Sequence, residues 1–166
     1  MKRYINSSVK NLYSDSYEAR ETTAKTTSHV DVLQALAFDT DYGVRMAVAS
    51  NPATDVDTLR MLAEDSNYYV RAEVVGNPNA ATPEIMATLL KHCTEDYYIR
   101  DLIANCPASG PDTLAYFAKW GSVDEKISVI NNPNVPVSIV LELFDDYDAD
   151  VSWAARQKLD KLREDL

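Results

Sequence analysis

Apolar residues in this chain fall in paired columns that return about every 26 residues. One column holds Val44, Val70, Ile99 and Val151, and a second, four residues on, holds Val48, Val74, Ile103, Val129 and Ala155. The i, i+4 spacing puts both on one face of a helix. A further pair follows: Leu33, Leu59, Met86, Leu114 and Val140, then Leu36, Leu62, Leu89, Phe117 and Leu143. Their i, i+3 spacing marks one face of a second helix. Each repeat is therefore predicted to be a pair of short helices.

The polar positions punctuate this pattern. Three residues before the first column stand Asp15, Asp41, Asn67, Asp96, Ser122 and Asp148, in steps of 26, 26, 29, 26 and 26 residues. All six are side chains that accept from the unsatisfied amides of a helix start. The first helix is stopped at Asn51-Pro52, Asn77-Pro78, Cys106-Pro107 and Asn132-Pro133, because proline forces its predecessor out of helical geometry. This leaves about seven or eight residues, in α or partly 3₁₀ form. The second helix starts near Val30, Val56, Pro83, Pro111 and Val137, and proline suits a first turn. The extra residues of the 67–95 repeat fall near Ala80-Ala81 and in Lys91-His92-Cys93, and read as a longer second helix or turn.

A fixed period in this range is the mark of a solenoid, in which one repeat cannot bury enough apolar surface to offset its ordering entropy and must stack on its neighbours. The chain is expected to be a single α-solenoid domain over residues 1–166. In it, 1–14 is a capping helix carrying Ile5, Val9 and Leu12, 15–147 are the repeats, and 148–166 is a C-terminal cap with one helix from Val151 to about Leu162. The 15–40 repeat has Glu18 and Thr22 in its columns and no Asn-Pro, so the pattern leaves its first helix unsupported.

The series Val-Arg-x-x-Val-(Ala/Val)-x-Asn-Pro-x-x-(Thr/Pro)…Leu-x-x-Leu, clearest over 44–62 and 70–89 and traceable across roughly 15–155, resembles the leucine-rich repeat variant, a relative of HEAT repeats. The resemblance implies an all-α fold: a right-handed, HEAT/ARM-like superhelix of about five repeats, alternating short 3₁₀ or α-helices with longer α-helices. The founding member of that family also carries an iron–sulfur domain built from clustered cysteines. This chain has two cysteines, Cys93 and Cys106, too few for a cluster, and that domain is not carried over.

Charge narrows the partners. The net charge is −10, from 16 basic and 26 acidic residues, whereas a phosphate binder needs clustered Lys and Arg. No nucleic-acid partner and no membrane partner is expected, and no stretch approaches the ~18 apolar residues of a membrane span. The N-terminal residues have basic groups but no apolar run behind them, which does not fit a signal peptide. Two cysteines without a disulfide framework fit a reducing cytoplasm.

Candidate chemistry is sparse. Arg45, Arg71 and Arg100 share one repeat position, with Lys126 at the next. They read either as a cationic ladder for a partner or as structural cations: Asp39 and Asp65 lie six residues before Arg45 and Arg71, so each Arg can pair with an Asp of its own or the neighbouring repeat, and the acidic surroundings favour pairing. Tyr42, Tyr68, Tyr69, Tyr97 and Tyr98 stand where the first helix begins, and with Tyr147 form an edge of a residue type enriched at interface hot spots. One Tyr of each pair is expected to pack inward and one to face out. Tyr116, Trp120 and Trp153 read as core or end-cap aromatics. Asp146-x-Asp148-x-Asp150 starts like a calcium loop, but Val151 holds the glycine position and Gln157 the twelfth, so helix capping explains it better. His29 and His92 are the only histidines and lack ligand spacing with each other or with cysteine. No catalytic residues, cofactor or metal is predicted, and no nucleophile–base set can be assembled.

The leading functional expectation is a non-enzymatic, monomeric protein-binding module with an acidic, tyrosine-bearing edge. The alternative is a phage-type anti-defence inhibitor whose regular carboxylates imitate nucleic acid, drawing on Asp39, Asp65, Glu95-Asp96 and Asp145-Asp146-Asp148-Asp150. A HEAT-like nucleic-acid binder using the Arg column ranks last.

Overall fold

The computed structural model describes residues 14–94 and 96–164; the capping helix predicted over 1–14, with Ile5, Val9 and Leu12, lies outside them except for Ser14. The described residues form eleven α-helices, one short 3₁₀ turn and no strand. They divide into two compact units, one up to Ala80 and one from Ala81 on.

The first unit contains α1 (Tyr17–Thr26), α2 (Val30–Leu36), α3 (Tyr42–Ser50), α4 (Val56–Leu62), α5 (Tyr68–Gly76) and the 3₁₀ turn Pro78–Ala80. The first helices of successive repeats stack, α1 on α3 and α3 on α5. The second unit contains α6 (Pro83–His92), α7 (Tyr97–Asn105), α8 (Pro111–Trp120), α9 (Val123–Asn131), α10 (Val137–Leu143) and α11 (Ala149–Glu164). Here α7 packs on α9 and α9 on α11, while α6 packs on α8 and α8 on α10. Within each unit this is the packing of a helical-repeat solenoid. The predicted columns are its core: every member of all four is no more than 1% exposed.

The helix starts follow the sequence signals. The side chains of Asp41, Asn67 and Asp148 each accept from a backbone amide of the first turn they precede, and Ser122 with Glu125 forms a reciprocal capping box. At the cap position of α7, Asp96 accepts from the Arg100 amide through its backbone carbonyl rather than capping with its side chain. The first helices from α3 to α9 are nine-residue α-helices.

One expectation is corrected. The first helix of the 15–40 repeat is fully formed, because its cap is Ser16 rather than Asp15. That moves the register by one residue, to a step of 25 from Ser16 to Asp41. Thr23 and Ala24, not Glu18 and Thr22, are then buried.

The Asn of Asn-Pro does more than end a helix. Asn51 Nδ2 donates to the carbonyls of Ala24 (2.6 Å) and Thr27 (2.9 Å). Asn77 does the same to Ala49 and Asn51, and Asn132 to Ala104 and Cys106. Their Oδ1 atoms accept from the amides of Ala53, Asn79 and Asn134. All three carboxamides are nearly fully buried. Each bridges to the carbonyls that end the preceding first helix, which a helix cannot satisfy by itself.

Candidate functional site

The predicted cations are held within the scaffold. Arg45 Nε and Nη2 donate to the Asp65 carboxylate at 2.7 and 3.0 Å, and its Nη1 donates to the Asp39 carbonyl at 2.7 Å. The carboxylate partner therefore lies twenty residues ahead, while Asp39, six residues behind, supplies its backbone oxygen. Asp39 itself takes a bidentate pair from Arg20 at 2.6 and 3.0 Å, so Arg20 belongs to the same column. Arg100 grips Glu125 at 2.6 and 3.0 Å, and Lys126 reaches Asp146 at 2.6 Å. These side chains are only 8–16% exposed on the cationic side and 7–8% on the anionic side. Arg71 is buried, with Nη1 donating to the carbonyls of Asp65 and Ser66.

The three aspartates also organise the turn that follows them. Asp39, Asp65 and Asp146 accept from the amides of Asp41, Asn67 and Asp148. Burial pushes the Asp65 carboxyl up, but its bonds from Arg45 and the Asn67 amide outweigh this and hold it below its ordinary value. The same balance lowers Asp39, Glu125 and Asp146. Arg100 is raised, chiefly by its bonds to Glu125.

The tyrosines are placed differently. Tyr17, Tyr42, Tyr68 and Tyr97 are the first residues of α1, α3, α5 and α7. Tyr42, Tyr68, Tyr69, Tyr97 and Tyr98 are all exposed. The expectation of one Tyr inward and one outward fails, because the two residues of each pair precede the first buried position, Val70 or Ile99, and both lie on the solvent side of the first turn. In the first unit the Tyr42 and Tyr69 rings stack between successive repeats, centroids 6.3 Å apart and planes at 23°, and Tyr68 lies 3.8 Å from Tyr69. Tyr147 is exposed, with Lys126 Nζ 5.0 Å from its ring centroid.

Trp120 and Trp153 are about two-thirds exposed, and Tyr116 is also at the surface. Of the two places expected, core or end cap, none of the three lies in the core, while Trp153 stands on α11, the C-terminal capping helix. Among the described residues no group of three or more His, Cys, Asp and Glu is placed to hold a metal ion. Asp146 and Asp148 are engaged with Lys126 and with the amides that open α11.

A further surface regularity was not read from the sequence. Asp31, Asp57, Glu84 and Asp112 are each the second residue of a second helix, and all are exposed. Their signal was their spacing of 26, 27 and 28 residues. Negative charge at this position is favoured by the partial positive charge of a helix N-terminus.

Among the described residues no helix is long and apolar enough to cross a membrane. Residues 42–67 match the family model of the leucine rich repeat variant. No curated protein and no solved structure matches the chain. The helix pair that begins at Tyr42, with its Val-Arg, Asn-Pro and Leu-x-x-Leu positions, is thus the part of the chain that is similar to a leucine rich repeat variant unit.

Proposed function

We propose that this chain is a non-enzymatic protein-binding module that meets its partner through the tyrosine edge of its first helices. The observation that carries the reading is the solvent-facing stack of Tyr42 and Tyr69 across neighbouring repeats. Aromatic rings of this size lie in water only at a cost, and they offer a partner large contact area with little side-chain entropy to lose. The cations first considered beside them, Arg45, Arg71 and Arg100, are held by backbone carbonyls or carboxylates of the chain, so the tyrosines and acidic groups are left as the contacting chemistry. Solenoid repeats present such edges without supplying a catalytic constellation, and the repeat match supports the same class. The module is proposed to act in the cytoplasm as a monomer, without a cofactor.

The test is affinity capture with wild-type chain and a Tyr42→Ser/Tyr69→Ser variant. The reading expects the variant to lose the captured protein while its thermal unfolding stays within a few degrees of wild type. Undiminished capture by the variant would overturn it.

A second reading is favoured by the exposed carboxylates at the second residue of the second helices, Asp31, Asp57, Glu84 and Asp112. Regular negative charge suits imitation of a nucleic-acid backbone in the basic groove of a nucleic-acid-binding protein. Asp39, Asp65 and Asp146, named for that role from the sequence, are engaged in ion pairs and do not serve it. An Asp31→Asn/Asp57→Asn variant separates the two readings, since only mimicry needs those charges.

A further inference from the structure

A trough of about 310 Å³ lies between α7 and α9, lined by Tyr97, Tyr98, Asp101, Ser122, Asp124 and Glu125. We propose that it seats a lysine or arginine side chain from a basic segment of the partner. The inference rests on the protein-binding reading and gives that partner a charge.

The trough combines aromatic faces with unneutralised negative charge. Tyr97 and Tyr98 are 83% and 56% exposed, and the helical spacing from Tyr97 and Tyr98 to Asp101 puts all three on one side of α7. Asp124 faces them from the first turn of α9 and is exposed. Glu125 adds no net charge, because Arg100 grips it from within. Asp101 and Asp124 therefore set the sign. Asp101 is half-buried, and its Oδ1 accepts from Ser128 Oγ at 2.7 Å and Asn105 Nδ2 at 3.3 Å, so its carboxylate is oriented before a ligand arrives.

Three ligand classes can be compared. An anion meets two carboxylates and is repelled. An apolar side chain covers those carboxylates without pairing them, which costs free energy. A cation satisfies the carboxylates and lies against the tyrosine rings, whose faces attract positive charge, and the chain's net charge of −10 steers it inward. A larger trough, bounded by Ile127 and Trp153, carries Lys158 and Lys161 beside Asp150 and lacks this bias.

The test uses the full chain, isotopically labelled, titrated by NMR with the peptide Ac-Gly-Lys-Gly-Lys-Gly-NH2 and with its Glu counterpart. Only the Lys peptide should shift amides, centred on residues 97–105 and 122–128, and the shifts should fade in about 0.5 M salt. Asp124→Asn, at an exposed position, should weaken binding about threefold or more with the spectrum otherwise unchanged; Tyr98→Ala should weaken it as well. Equal response to the Glu peptide, shifts centred on Trp153 or on Tyr42 and Tyr69, or unaltered affinity in both variants would overturn the proposal. If capture of the partner still depends on Tyr42 and Tyr69 in that case, the trough assignment alone has failed; if that dependence is also absent, the protein-binding reading has failed with it.

Discussion

At the scale of single residues, the same side chains look functional or structural depending on where the chain returns them. Arg45 was legible as a cation pairing with an Asp of its own or the neighbouring repeat, but which of the two was not, because the ion pair to Asp65 spans twenty residues and closes only when two helices have packed. Arg20 was missed because its repeat is one residue short. The bridging role of Asn51, Asn77 and Asn132 was hidden behind the simpler message of Asn-Pro as a stop. These carboxamides yield a sharp expectation. Asn77→Ala removes the donors to the Ala49 and Asn51 carbonyls and the acceptor for the Asn79 amide. It leaves buried backbone groups unpaired, and urea denaturation should show a loss of about 2–4 kcal/mol. A loss below about 0.5 kcal/mol, the level of an ordinary surface change, would show that the bridge is dispensable.

At the scale of elements, the two helix periodicities and the caps were enough to place the core, since every column residue is buried. Apolar spacing reports burial directly, whereas the outward side of a first turn has no periodic signature. That is why one tyrosine of each pair could be taken for a core residue. The glycines offer a check at this scale. Gly76 ends α5, and a Cβ there meets nothing within 4 Å. Gly76→Ala should therefore stabilise the chain by about 0.5 kcal/mol, since alanine loses less backbone freedom in a helix. Gly121 is the opposite case: a Cβ there would run into the Phe117 carbonyl oxygen, so Gly121→Ala should lower the thermal midpoint. Paired melting curves of the two variants read both signs.

At the scale of the whole molecule, a net charge of −10 coexists with a buried set of ion pairs. Asp39, Asp65, Glu125 and Asp146 have pKa values lowered on folding. Such groups contribute stability that is present above their unfolded values, 3.8 for Asp and 4.5 for Glu, and is lost as pH falls through the folded ones. The thermal midpoint should therefore change little with pH above about pH 5, where the pairs contribute in full, and should fall steeply below about pH 4. Asp65→Asn should flatten that fall.

The central claim is that the tyrosine edge, and not the arginine column or the acidic column, is the working surface. It is tested most directly by measuring the affinity of the captured partner for four chains: wild type, Tyr42→Ser/Tyr69→Ser, Arg45→Met and Asp31→Asn/Asp57→Asn. The account predicts a loss of tenfold or more, about 1.4 kcal/mol, for the tyrosine variant alone, with Arg45→Met changing stability but not affinity. Full affinity in the tyrosine variant together with its loss in the Asp31→Asn/Asp57→Asn chain would contradict it.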